Sequence, residues 1–223
     1  MIELSGIRHT ILDISSLRIP FGTTSVIGPN GSGKTMLLKL LAGISLPQSG
    51  TVSIDGLPPR QTETGWVNEF PDRNILFGTV FDEVASSLRF RHLPDGEVER
   101  KVEETMDSVG ILLLRDRPVC NLSGGEKVLV ALAAALVHSP RVLVLDECDS
   151  HLDNNRARQI WRIVRERRIP YVIRCTQQVE SAIRSDHVIF LSNGRVAFDG
   201  LPREVFARLR ATPFYPLSLE CGI

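Results

Sequence analysis

The stretch "GPNGSGKT", Gly28 to Thr35, constrains this chain more than any other. It fits the pattern GxxxxGK followed by Ser or Thr. It also lies between "TTSVIG", which reads as a buried strand ending at Gly28, and "KTMLLKLLAG", which reads as a helix stopped by Gly43. A strand that turns through glycines into a helix aims successive backbone N–H groups, and the positive end of the helix, at an anion. Gly28, Pro29, Asn30, Gly31, Ser32 and Gly33 are therefore read as a phosphate cradle. Lys34 reaches the β- and γ-phosphates, the Thr35 hydroxyl is a ligand for Mg²⁺, and Met36 completes the nucleotide-binding set. A chance glycine-rich turn is the plainer alternative, and the strand-to-helix context sets it aside. The motif implies a nucleoside triphosphate.

Asp146 and Glu147 end the apolar run "VLVLDE". A carboxylate at the C-terminal end of a buried strand beside such a cradle is suited to hold Mg²⁺ through its water shell. The next residue, Glu147, points the other way and is the candidate to orient and deprotonate an attacking water. Alone, an apolar run ending in DE is usually a strand meeting solvent; here the cradle gives it weight.

In "NLSGGEKVLVALAAALVHSP", Ser123 and Glu126 form an S-x-x-E capping box that opens a helix. Gly124 and Gly125 remove side chains from that helix start and leave bare N–H groups able to accept an anion. The box by itself means only a helix start.

Strand-like runs alternate with helical ones, so the fold class expected is α/β: a P-loop core with a mixed sheet. "GTVSIDG", "RVLVLDE" and "PYVIRCT" read as strands, and "HVIFLSNGRVAFDG" as a hairpin turning at Asn193-Gly194 in a type I′ turn. Between about 79 and 119 the pattern is helical. Val98, Val102, Met106 and Val109 recur behind an Asp95-Gly96 start, with Gly110 as the stop. This reads as a helical lobe carried within one domain spanning 1–223.

Formal net charge is zero, so no global field favours nucleic acid or an anionic surface. The four cysteines have no metal-ligand spacing and are expected as free thiols. "MIELSGIRHT" lacks the basic and apolar regions of a secretory leader. The longest apolar run, Val128 to Val137, is about half the ~20 residues that span a bilayer, so any channel must belong to another chain.

The series P-loop, "LSGGE", "VLVLDE" and "SHLD" (Ser150 to Asp153) resembles the ATP-binding subunits of ABC transporters across nearly the whole chain. The resemblance implies a head-to-tail dimer, homomeric or heteromeric, with two ATPs sandwiched. Ser123, Gly124, Gly125 and Glu126 of one subunit would then meet the nucleotide of the other, with Ser150 to Asp153 at the seam. "FPDRNILFGTVFDEV" and "DGLPREVF" further resemble the energy-coupling-factor and cobalt/nickel-type importer ATPases. This second resemblance implies a Mg-dependent ATPase driving uptake of vitamins or transition-metal ions through transmembrane partner subunits. It would be cytoplasmic, peripheral on the inner face of the cell membrane, with no nucleic acid expected. A weakly active regulatory subunit of an asymmetric heterodimer and a soluble non-transport ABC ATPase stand as alternatives.

Two catalytic positions depart from that family. Glu69 stands where the family has a glutamine that meets Mg²⁺ and the attacking water; a carboxylate keeps the oxygen but adds negative charge. Its bland reading is a side chain turned away from the site. Gln177 replaces the switch histidine. Its amide can still donate to an anionic oxygen but cannot carry charge or shuttle a proton. The adjacent Gln178 leaves open which amide faces the site. Two lesser departures are Val128 and Leu129 in place of a polar pair after the signature, and the lack of an evident adenine-stacking ring, for which His9 is weighed against a solvated strand position. The arginines of "NNRARQIWRIVRERR" read as a solvated helix face. A membrane partner is expected to dock between 69–77 and the helical lobe.

Overall fold

Ile2, Leu4 and Ile7 are buried on β1 (Ile2–His9), and Leu12, Ile14, Leu17 and Ile19 on β2 (Leu12–Ile19). The two strands pair antiparallel with Ile2 opposite Ile19, Leu4 opposite Leu17 and Ile7 opposite Ile14, so matched apolar residues share a face. β4 (Ser49–Ile54) adds to the other side of β1, giving the order β2-β1-β4. The computed structural model describes residues 1–71, 75–148, 152–210, 212 and 214. They fall into two units: Met1–Thr62 with Pro170–Ile223, and Glu63–Ile169.

The first unit also holds β3 (Gly22–Ile27), β7 (Tyr171–Cys175), β8 (His187–Ser192) and β9 (Arg195–Gly200), ordered β7-β3-β8-β9. β3 runs parallel to β7 and β8, and β9 returns antiparallel to β8, which makes the sheet mixed. Asn193 and Gly194 join β8 to β9 with φ of 47° and 76°, the two left-handed residues a type I′ turn needs. α1 (Lys34–Leu41) packs on β7. α6 (Val179–Ile183) and α7 (Pro202–Leu209) cover β8 through Ala182, Val205, Phe206 and Leu209 against Val188 and Phe190.

The second unit contains the parallel pair β5 (Thr64–Val67) and β6 (Val142–Asp146), the latter buried along its full length. α4 (Gly124–Leu136) is its central helix, packed against β5, α2 (Val80–Phe90) and α3 (Asp95–Val109). Val128 and Leu129 are buried in it, so the departure from a polar pair supplies core. The segment between about 79 and 119 holds α2 and α3. Its ends are bonded to each other, Val119 N–H to the Gly78 carbonyl at 3.0 Å and Val80 N–H to the Arg117 carbonyl at 3.2 Å. α3 stops at Gly110, φ 79°, as read from the sequence. α5 (Asn154–Glu166) exposes Arg158, Arg162 and Arg165, the solvated face expected, but Arg156 bonds Gln159 and Arg167 bonds Ser108.

Candidate functional site

The phosphate loop is built by β3 leading into α1, as the motif requires. Gly28 has φ 146°, and a Cβ there would stand 2.0 Å from the Leu191 carbonyl oxygen, so only glycine lets the loop leave the strand at this point. Lys34 is buried, 7% exposed, and its Nζ donates to the carbonyls of Gly28 at 3.0 Å and Pro29 at 3.1 Å. A buried ammonium bonded to loop carbonyls holds its charge over the loop, and these contacts are ones a phosphate oxygen can replace. Among the described residues Ser32 Oγ is buried without a hydrogen-bond partner, a second donor consistent with a polyanion in the loop. Thr35 is exposed and Met36 half-buried at the start of α1.

Contacts far apart in sequence fix the loop. The Gly194 N–H donates to the Ser32 carbonyl at 3.0 Å, and the Gly194 carbonyl accepts from Asp13 N–H at 2.9 Å. Ile11 and Leu12 lie against Gly33, where an added Cβ would stand 2.7 Å from Leu12 Cδ2. None of these contacts has a local sequence signal. His9 is half-buried and, among the described residues, its Nδ1 is sealed without a partner, so it is not the solvated strand residue expected. The other ring ahead of the loop, Phe21, stacks on Tyr171 at 4.7 Å.

Gln177 and Gln178 share the wall of a cavity of about 340 Å³ with Gly28, Pro29 and Asn30. The structure thus brings the residue after β7 to the phosphate loop. The pair divides: Gln178 is the N-cap position of α6, donates its N–H to Thr176 Oγ1 at 3.1 Å, and accepts from Ser181 Oγ at 3.3 Å. The Gln178 amide oxygen therefore serves α6.

In the second unit, Asp146 ends β6 and is 6% exposed. Glu147 follows with φ 49°, a left-handed conformation uncommon outside glycine and costing on the order of 1 kcal/mol. Strain of this kind persists where the surroundings fix it and gathers at working sites. The strand ends here, and a half-buried carboxylate follows a buried one. Glu69 stands half-buried two residues beyond β5.

The capping box at the start of α4 is complete. Ser123 Oγ accepts from Glu126 N–H at 3.3 Å, and Glu126 Oε2 accepts from Ser123 N–H and Oγ at 2.8 Å each. These bonds from Ser123, with Arg117 at 3.6 Å, hold the Glu126 carboxyl below the usual range. Glu126 thus shapes the helix start. A Cβ on Gly124 would meet nothing within 4 Å, and one on Gly125 only ordinary contacts with Arg156 and Leu152. Nothing inside the described chain demands these glycines. The seam motif at 150–153 lies partly outside the described residues; Asp153 caps α5, accepting from Asn155 and Arg156 N–H at 2.9 Å each.

A family model described as ABC transporter matches residues 12–150, more than half of the 223 residues. This chain belongs to the ABC transporter family. As an ABC protein it is an ATPase of the transport-coupled type, binding ATP on an α/β P-loop fold. Among its ABC relatives, the energy-coupling factor transporter ATP-binding protein EcfA1 of Lacticaseibacillus paracasei is 34% identical over 194 residues, covering 82% of this chain and 69% of the relative. The EcfA1 of Clostridioides difficile is 32% identical over 231 residues, covering 98% and 82%. Among solved ABC structures, cbiO1 of Clostridium perfringens, described as part of the ABC transporter complex cbiONQ, matches with a TM-score of 0.81. It is 28% identical, covering 94% of this chain and 92% of that one.

Proposed function

We propose that this chain is the ATP-hydrolysing subunit of an energy-coupling-factor-like importer for vitamins or transition-metal ions. It works as a head-to-tail dimer, with itself or with a second ABC ATPase, beneath transmembrane partner subunits on the cytoplasmic face of the membrane. The observation that carries the dimer is the bare start of α4. Gly124 lies where alanine would fit and favour the helix, so a ligand presented from outside the subunit is the reason for its absence. The importer type is supported by the likeness to the EcfA1 proteins and to cbiO1.

In this reading the backbone of 28–33 and Lys34 bind the β- and γ-phosphates. Thr35 and Asp146 are oxygen donors of the kind a hard divalent cation takes, with Glu69 a further carboxylate for it. Mg²⁺ held there would neutralise charge on the phosphates as it develops. Glu147 accepts the proton of the attacking water, and Gln177 donates a neutral hydrogen bond to the γ-phosphate. Ser123, Gly124 and Gly125 close over the partner's nucleotide.

The docking surface for the membrane subunits is assigned to the second unit. Phe70, Leu76 and Phe90 are exposed there, Leu76 by 81% and Phe90 by 74%, and Phe77 contacts Phe90 with ring centroids 6.4 Å apart. Exposed apolar side chains of this size next to the lobe suit a partner surface. Among the described residues no helix is long and apolar enough to cross a membrane.

The test is steady-state Mg-ATPase activity of the purified chain beside Glu147→Gln and Gln177→His. Activity abolished by the first substitution establishes the chain as a working hydrolase. Wild-type turnover unaffected by Glu147→Gln would refute the assignment.

A further inference from the structure

Arg174 is 5% exposed on β7, a strand on which Tyr171, Val172, Ile173 and Cys175 are also buried. Removing a guanidinium from water costs several kcal/mol unless its donors are met, so a buried arginine in a strand centre needs a structural reason. Its Nε donates to Ser25 Oγ at 2.8 Å, and its Nη2 donates to the Ser181 carbonyl. Ser25 Oγ in turn shares a 2.6 Å hydrogen bond with Ser185 Oγ.

The partners stand at informative places. Ser25 lies on β3, the strand that runs into Gly28 and the phosphate loop. Ser181 lies in α6, which follows directly on Gln177 and Gln178, and Ser185 lies just beyond it. α6 has only five residues, too few to be stable through its own hydrogen bonds. The carbonyl of Ser181, the middle residue of that helix, has no acceptor role within so short a helix's own ladder, and the guanidinium satisfies it together with Ser185 Oγ at 3.5 Å. The guanidinium fork therefore joins the strand behind the phosphate loop to the helix that anchors the far end of the Gln177 loop. An aliphatic side chain in that place would pack but give no direction.

We propose that Arg174 is a positioning residue for ATP hydrolysis, acting through Gln177 by fixing the segment 176–181 against β3. The proposal rests on the reading of Gln177 as the group that meets the γ-phosphate. A neutral amide forms a weaker bond to an anion than a protonated imidazole does, so its placement counts for more.

A double-mutant cycle tests it. Arg174→Met is expected to lower kcat by about 10- to 100-fold with little change in KM for ATP, the scale of a small misplacement. In a Gln177→Ala background the same substitution lowers kcat by less than about twofold, because the group being placed is gone. Ser25→Ala, which removes one anchor with little change of volume, repeats the pattern more weakly and stands in if Arg174→Met does not fold. Equal losses in both backgrounds would make the role merely structural and overturn the proposal. Hydrogen exchange supplies a readout independent of turnover. With a non-hydrolysable ATP analogue, amides of 177–183 lose protection in Arg174→Met while those of α1 keep it. Unchanged protection there, or loss throughout the unit, overturns the proposal even if the chain hydrolyses nothing.

Discussion

The backbone N–H of Gly194 donates to the carbonyl of Ser32 at 3.0 Å, so the turn of the last hairpin is bonded to the middle of the phosphate loop. The same glycine accepts from Asp13, and Arg195 pairs with the Asp13 carboxylate at 2.8 Å. Three segments, at Asp13, Ser32 and the distant Gly194, thus meet at the cradle.

Gly194 tolerates no side chain. Its φ is 76°, and a Cβ would stand 1.7 Å from the Ile11 carbonyl oxygen. Gly194→Ala is expected to destabilise the protein by about 1–3 kcal/mol, through strain and overpacking, and to weaken ATP binding. Asn193→Gly keeps the turn and serves as the control. Denaturant unfolding and nucleotide titration check both.

Gly124→Ala should separate stability from activity. Among the described residues no atom within 4 Å opposes the new methyl, and alanine favours the helix by up to about 1 kcal/mol. Unfolding should shift upward or stay level while turnover falls, if the methyl covers N–H groups that take the partner's nucleotide as proposed. A variant at least as active as wild type would remove the signature role assigned to this position.

Ser123→Ala loses the cap of α4 and costs about 1 kcal/mol. It also removes the Ser123 Oγ bond to Glu126, one of the two that hold that carboxyl low, while the larger contribution, from the Ser123 backbone N–H, remains. A depressed carboxyl stabilises the fold above its unfolded pKa, and this is lost as pH falls through the folded one. Wild type should therefore lose more stability than Ser123→Ala across the acid range, as read by chemical unfolding.

Two histidines set a second pH window. Burial lowers the pKa of His138, with Arg91 adding to it, and burial lowers that of His187, both from an ordinary value of 6.5. Below that value the unfolded chain binds protons that the folded one refuses, so stability falls as pH drops below it and levels off under the folded pKa. His138→Gln with His187→Gln should flatten the slope.

Leu76→Ser with Phe90→Ser changes two exposed side chains, so stability should move by less than about 1 kcal/mol. Recovery of the chain with the membrane fraction should drop if these residues dock the transmembrane subunits. Undiminished recovery would place docking elsewhere.

The elements legible before folding are written in short-range patterns. The phosphate loop, the Ser123–Glu126 box, the Asn193-Gly194 turn and the Gly110 stop each need residues only a few positions apart, so spacing and backbone preference suffice. The β1–β2 pair escaped because its alternation breaks, Leu12 and Ile14 being followed by Leu17 and Ile19, so the period-two signal is shorter than the strand. The rest depends on contacts that form only when distant segments meet. Gln177 reaches the wall behind Gly28 because β7 pairs with β3, and Gln178 turns to α6 because Ser181 is there to bond it. Arg174 is a buried charge in an otherwise apolar strand. It is tolerable because Ser25, 149 positions away, brings a hydroxyl to its Nε. A buried donor is satisfied or costly according to what folding carries to it, and no local spacing encodes that.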